Sequence, residues 1–157
     1  MSRNNPSSMS ITIRRAEPAD VPAIFDLITE LAIYEKAGHE VTNTPEQLLK
    51  DGFGENPVYG TLIAEKDGAI AGMSLYYYRY STWKGKRLYL EDLIVKEEFR
   101  GLGLGKSLLD ATVEEARRTD CTGLMWQVLD WNEPSIQFYK KYGARLDGEW
   151  INCHLDF

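Results

Sequence analysis

Two acidic side chains stand where an acid is expensive. The run Leu88-Tyr89-Leu90-Glu91-Asp92-Leu93-Ile94-Val95 is apolar on both alternating faces apart from Glu91 and Asp92, the pattern of a strand buried inside a sheet. Removing a carboxylate from water without a partner costs kilocalories and raises its pKa, so these acids need either a structural partner or a chemical task. One such task is to hold an ammonium group and accept its proton, which turns a protonated amine into a nucleophile. Glu91 is the residue assigned that work. Asp92, one position on, is expected on the other face in a structural role. An ion pair within the core would account for both acids equally.

Directly after this strand comes Arg100-Gly101-Leu102-Gly103-Leu104-Gly105-Lys106, followed by Leu109, Val113 and Ala116 at helical spacing. The glycines therefore lie in a loop that opens a helix. Glycine lets backbone amides approach a ligand closely, and the first N–H groups of a helix are unpaired and sit at its positive end, which suits a phosphate or pyrophosphate. The spacing matches neither of the common nucleotide fingerprints, Gly-x-x-x-x-Gly-Lys-Ser/Thr or Gly-x-Gly-x-x-Gly. Taken alone, the same residues would serve as a glycine-rich surface turn.

Further motifs stand in a fixed order around these two. They are Tyr34-Glu35, Asp51-Gly52-Phe53-Gly54, Leu88-Tyr89-Leu90-Glu91-Asp92, Arg100-x-x-Gly-x-Gly and Trp131-Asn132-Glu133-Pro134-Ser135-Ile136. Over roughly residues 11 to 152 the set resembles the GNAT superfamily of N-acetyltransferases and, within it, the spermidine/spermine N-acetyltransferase group; Tyr80-Ser81-Thr82-Trp83-Lys84-Gly85 together with Val128-Leu129-Asp130-Trp131-Asn132 resembles that group's thialysine N-epsilon-acetyltransferase branch.

The resemblance implies an α/β (α+β) fold: one domain with a mixed, mostly antiparallel central sheet, helices on both faces, and two central strands that splay to admit acetyl-CoA. It implies acetyl-CoA as acetyl donor and no metal. The donor contacts it carries over are Leu93, Ile94 and Val95 along the strand, Arg100, Gly101, Leu102, Gly103, Leu104, Gly105 and Lys106 in the loop, and Asn132, Glu133, Pro134, Ser135 and Tyr139 later on. Backbone amides near Leu93 to Val95 would polarise the thioester carbonyl. Tyr139, within Phe138-Tyr139-Lys140, would be the acid that protonates the departing thiolate; a phenol of pKa ~10 is protonated at neutral pH. Acceptor contacts would come from Tyr34, Glu35, Trp83, Glu91, Met125, Trp126, Gln127 and Glu149, the last in a segment shorter here than in the family. The implied acceptor is the primary amine of a small cationic molecule, thialysine or a lysine-like amino acid. Polyamines, protein lysines and a non-catalytic CoA-binding module are the alternatives. Polyamine-specific members of the group carry an acid directly after the tyrosine that matches Tyr80, where this chain has Ser81. Members of the group pair into dimers, so a homodimer is expected.

The whole chain is compatible with this reading. Its 157 residues suffice for one domain with a proper core, placed at residues 11–157 behind a polar lead-in at 1–10 expected to be disordered. Eighteen basic against twenty-four acidic side chains, a net charge of −6, disfavour nucleic acid as the main partner and favour cationic small molecules. No apolar run has the ~18 residues of a membrane span and no secretory leader is recognisable, so a cytoplasmic location is expected. The two cysteines and two histidines show no zinc-site spacing, and Cys121 and Cys153 are expected to be reduced packing residues.

Local patterns supply the elements that must hold these residues. Ile11–Arg15 alternates as a strand. Asp20 is expected to cap a helix through Ile24, Leu27, Ile28, Leu31 and Ala32 that ends at Tyr34-Glu35. Thr44-Pro45-Glu46-Gln47 reads as a capping box opening a helix to about Asp51. Strands over 58–64 and 69–80 flank the turn signal Asp67-Gly68. A strand is expected over Leu124–Leu129, a helix capped by Asn132 and stopped at Gly143, and a last strand over Glu149–Phe157.

Overall fold

The computed structural model describes residues 10–157; the lead-in expected at 1–10 lies almost entirely outside them. Five strands, β1 (Ile11–Arg15), β2 (Gly60–Lys66), β3 (Ala69–Ser81), β4 (Gly85–Val95) and β5 (Leu124–Trp126), form one sheet in sequence order. The first four run antiparallel, and β5 lies parallel to β4. The turn between β2 and β3 places Asp67 and Gly68 at φ 50° and 82°, the left-handed pair that a two-residue hairpin of matching twist requires. The chain divides into a larger unit ending at Gln127, which holds the whole sheet, and a smaller unit, Val128–Phe157.

Helices α1 (Val21–Tyr34) and α2 (Pro45–Phe53) cover one face of the sheet, and α3 (Leu104–Arg118) covers the other. Ile24 and Leu27 of α1 meet Ile63, Met73, Leu75 and Ile94 on the first face. Leu104, Leu108 and Ala116 of α3 meet Leu62, Tyr76 and Leu88 on the second. The apolar period of each helix thus selects its buried stripe. Between α3 and the sheet, the hydroxyls of Ser74 and Thr112, both fully buried, bond each other at 2.8 Å, which satisfies two polar groups that would otherwise be orphaned in the core.

Several expected element ends are revised. Asp20 does not cap α1 with its side chain: its carboxylate takes two bonds from Arg14, at 2.7 and 2.9 Å, and the Glu17 amide at 2.7 Å. A bidentate guanidinium outcompetes the weaker cap and holds the Asp20 carboxyl below its usual range. Thr44 caps α2 as expected, accepting from the Gln47 amide at 3.1 Å, but Gln47 turns its side chain to Asp51 and the helix runs on to Phe53. Strand β5 stops at Trp126 rather than Leu129. Residues 149–157 form no strand, because no ladder neighbour pairs with them among the described residues and a lone strand has nowhere to place its amides. Cys121 packs against the α3-side core, but Cys153 is exposed rather than a packing residue.

Within the smaller unit, Asn132 is buried and accepts the Ser135 amide at 3.4 Å, opening α4 (Glu133–Tyr142). Gly143 closes it at φ 101°, the left-handed C-terminal stop that glycine adopts without strain.

Candidate active site

One irregularity in the sheet decides which acids meet. Along β3 and β4 the register pairs Tyr77 with Tyr89 and Tyr76 with Leu90, then Leu75 with Asp92, leaving Glu91 as an extra residue. This β-bulge shifts the alternation by one. Before it, Leu88 faces α3; beyond it, Ile94 faces α1. Asp92, paired with Leu75 of the α1-side core, therefore lies on the α1 face together with Glu91. The expectation of opposite faces is corrected here: strict period-two alternation fails where two residues oppose one.

Helix α1 ends above this point, and its following residue Glu35 completes a group of three carboxylates with Glu91 and Asp92. Burial pushes the Asp92 carboxyl up to about 7, with the charges of Glu91 and Glu35 adding to the rise. Glu35 is raised as well, first by burial and then by Glu91. Glu91 itself is exposed. Like charges held together and partly dried favour the protonated form and bind any cation that neutralises them. Two half-dried carboxylates, Glu35 and Asp92, with the exposed Glu91 beside them make a grouping suited to holding an ammonium group, and Asp92, held up at about 7, can exchange a proton near neutral pH.

The α1 face continues with rings. Tyr77 and Tyr89 pack at 5.2 Å between ring centroids, inclined by 34°. Both phenols are raised, first by burial and next by the charge of Glu91. Met125, paired with Tyr89 across β4–β5, shares this face; Trp126, paired with Leu90, lies on the α3 side. Trp83 is not brought to the acids. It stands in the β3–β4 turn, 86% exposed.

At the other end of β4 the chain turns into the glycine loop. Strand β5 pairs with β4 only from Leu88 to Leu90, so β4 runs on through Leu93, Ile94 and Val95 with no strand on that edge among the described residues. A backbone edge left open in this way can take a ligand's amide groups as a sheet takes a strand. Arg100 donates from Nε to the Val95 carbonyl at 3.2 Å, and its guanidinium lies 5.6 Å over the Tyr34 ring at the end of α1. Gly101 and Gly103 take φ 79° and 80°, which side chains rarely tolerate. Ser107 is the first residue of α3 whose amide closes a helical bond, to the Gly103 carbonyl at 3.0 Å. The amides of Leu104, Gly105 and Lys106 precede it at the positive helix end, so the loop fits a pyrophosphate by its own geometry. Lys106 pairs with Asp110 at 2.8 Å.

In the smaller unit, Tyr139 lies half-buried on α4 with its ring 5.4 Å from that of Phe138. Glu133 and Pro134 are exposed in the first turn. Glu149 is exposed in a segment without regular structure. The residue that sequence reasoning undervalued is Asp92; its signal was the unbroken Glu91-Asp92 pair, which alternation alone forces apart and only a bulge reconciles.

Carboxylates able to hold an ammonium group, on the strand that leads into an amide-lined loop, suit an amine N-acetyltransferase. The chain belongs to the acetyltransferase (GNAT) family, whose model matches residues 22–144. It is 42% identical over 153 residues to a thialysine N-epsilon-acetyltransferase of Bos taurus, covering 91% of this chain and 90% of that protein. It is 40% identical over 139 residues to a human spermidine/spermine N(1)-acetyltransferase-like protein 1, covering 84% of this chain and 20% of that longer one. Among solved structures, an aminoglycoside N-acetyltransferase in complex with CoA superposes with a TM-score of 0.77 at 18% identity, over 96% and 97% of the two chains. That likeness speaks for the fold.

Proposed function

We propose that this enzyme transfers the acetyl group of acetyl-CoA to the side-chain amine of thialysine or a similar lysine-like amino acid. The observation that carries the reading is the gathering of Glu35, Glu91 and Asp92 on one face by the β4 bulge, beside the start of the glycine loop. Its acceptor class is supported by the similarity to thialysine acetyltransferases. The amides of residues 101–106 hold the pyrophosphate of acetyl-CoA, and the open edge of β4 at Leu93 to Val95 receives its pantetheine arm and polarises the thioester carbonyl. Glu91 and Asp92 bind the acceptor ammonium and take its proton, which frees the amine to attack. Tyr139 donates a proton to the departing thiolate.

A second reading, acetylation of spermidine or spermine, is favoured by the similarity to the spermidine/spermine N(1)-acetyltransferase-like protein and by three carboxylates facing one space. A homodimer is also part of the proposal: Trp150, Ile151 and Leu155, close together in the chain, are 76%, 88% and 81% exposed, and large apolar side chains left in water are what a covering partner would bury. Light scattering on the purified protein tests the dimer. Release of free thiol from acetyl-CoA in the presence of thialysine, lysine, ornithine, spermidine and spermine tests the reaction. The reading expects thiol release with thialysine at the highest kcat/KM. No release with any amine would refute acetyl transfer, and a preference for spermidine would replace the acceptor.

A further inference from the structure

The tyrosine-lined face that ends in carboxylates has a cationic opposite end. Arg79 and Arg87 face each other across β3 and β4, two register positions beyond the Tyr77–Tyr89 pair and so on the same side of the sheet. The Arg87 guanidinium is turned to the backbone, donating to the Leu124 carbonyl at 3.3 Å, and it fills the space over Gly123. Arg79 behaves differently. It is exposed, its guanidinium lies 5.7 Å over the Tyr89 ring, and it donates to the Met125 sulfur at 3.2 Å. A thioether is a weak acceptor, so most of the five N–H donors of Arg79 remain available. Among the described residues no carboxylate stands within ion-pairing distance of it. The ring and the sulfur thus fix a planar, always-charged fork while leaving its carboxylate-binding edge open.

Resting on the acetyl-transfer reading above, we propose that Arg79 is the subsite for the α-carboxylate of an amino-acid acceptor, with the reactive amine at the Glu91 end. The length fits. From the Arg79–Arg87 level to Glu91 is roughly 13 Å along the sheet at ~3.3 Å per residue. A lysine-length amino acid places its two ends roughly 7 Å apart, through six bonds of about 1.5 Å. The Arg79 guanidinium reaches back over the Tyr89 ring toward the Glu91 end, which shortens that span. The apolar stem of the acceptor would lie on those rings. Charge fits too: a polyamine has a second cation where the amino acid has its carboxylate, and Arg79 with Arg87 repels it. Discrimination therefore comes from an unfavourable contact with the competitor as well as a favourable one with the acceptor.

The test compares thialysine with bis(2-aminoethyl) sulfide, the same thioether chain ending in an amine and lacking the α-carboxylate. Wild type is expected to favour thialysine in kcat/KM. Arg79→Ala is expected to lower the thialysine-to-diamine ratio by ~10- to 100-fold, the worth of a charge-assisted bidentate contact, mainly through KM. Arg79→Lys is expected to restore part of it. Calorimetric binding of both compounds, in the presence of CoA, runs alongside. An unchanged ratio in a folded Arg79→Ala variant, or a wild type that favours the diamine, overturns the subsite and leaves acetyl transfer standing. Arg79-dependent thialysine binding without any acetylation would keep the subsite and overturn the transfer reading. Absence of both binding and turnover overturns both.

Discussion

Replacing Asp92 by Asn removes a carboxyl that the fold holds up at about 7, against an ordinary value of 3.8. Because the native state keeps the proton that the unfolded chain has lost, the native state binds more protons between these two values. Stability must therefore fall as pH rises through that window, and the loss is complete above about 7. Three pH units at ~1.36 kcal/mol each put the cost at about 4 kcal/mol. That is a ceiling, since Asp92 is only half-buried and water reaches it. Asp92→Asn is thus expected to be as stable as wild type near pH 4 and about 2–4 kcal/mol more stable at pH 8, measured by urea unfolding at pH 4, 6 and 8 without ligands. Glu91→Gln, which removes the nearest like charge, should lower the Asp92 value and shift the wild-type decline to lower pH. The stabilised Asp92→Asn variant should nonetheless bind the cationic acceptor more weakly, as KM at pH 8 will report. A stability difference that is the same at all three pH values would refute the burial argument, and an unchanged KM would remove Asp92 from the ammonium site.

Three other variants probe the remaining parts. Gly103→Glu should abolish the thermal protection given by acetyl-CoA; Gly103→Ala carries the same strain at φ 80° without the charge and should keep part of that protection, so equal losses in both would point to the backbone alone. Tyr139→Phe should lower kcat by roughly 10²-fold or more with little change in acetyl-CoA affinity, because proton donation acts in the transition state; a near-wild-type kcat, with chemistry limiting, would return Tyr139 to a packing role. Ser81, whose hydroxyl accepts the Lys84 amide at 3.0 Å in the β3–β4 turn, can be exchanged for Asp without losing that bond. Ser81→Asp should shift the thialysine-to-spermidine ratio toward spermidine by about tenfold, equivalent to ~1.4 kcal/mol of ion pairing, and a shift the other way would contradict the charge argument.

Features set by neighbours in the chain were legible without the fold. The Asp67-Gly68 turn, the Thr44 and Asn132 caps, the Gly143 stop and the glycine loop before α3 each depend on a few adjacent residues whose backbone preferences act locally. The stripes of α1 and α3 were equally readable, since a helix buries whichever face is apolar. Tertiary structure decided the rest. The end of β5 and the absence of a strand over 149–157 turn on whether a ladder partner is present, and alternation records the wish for one without its position. Asp20 changed role because Arg14, on another element, offered two bonds to its carboxylate. The decisive case is Asp92. Its face, its raised proton affinity and its company with Glu35 and Glu91 all follow from one extra residue in β4 opposite β3. A bulge is a property of two paired strands, so the adjacent acids Glu91-Asp92 hint at a break in the alternation, but only the pairing with β3 decides that it falls there.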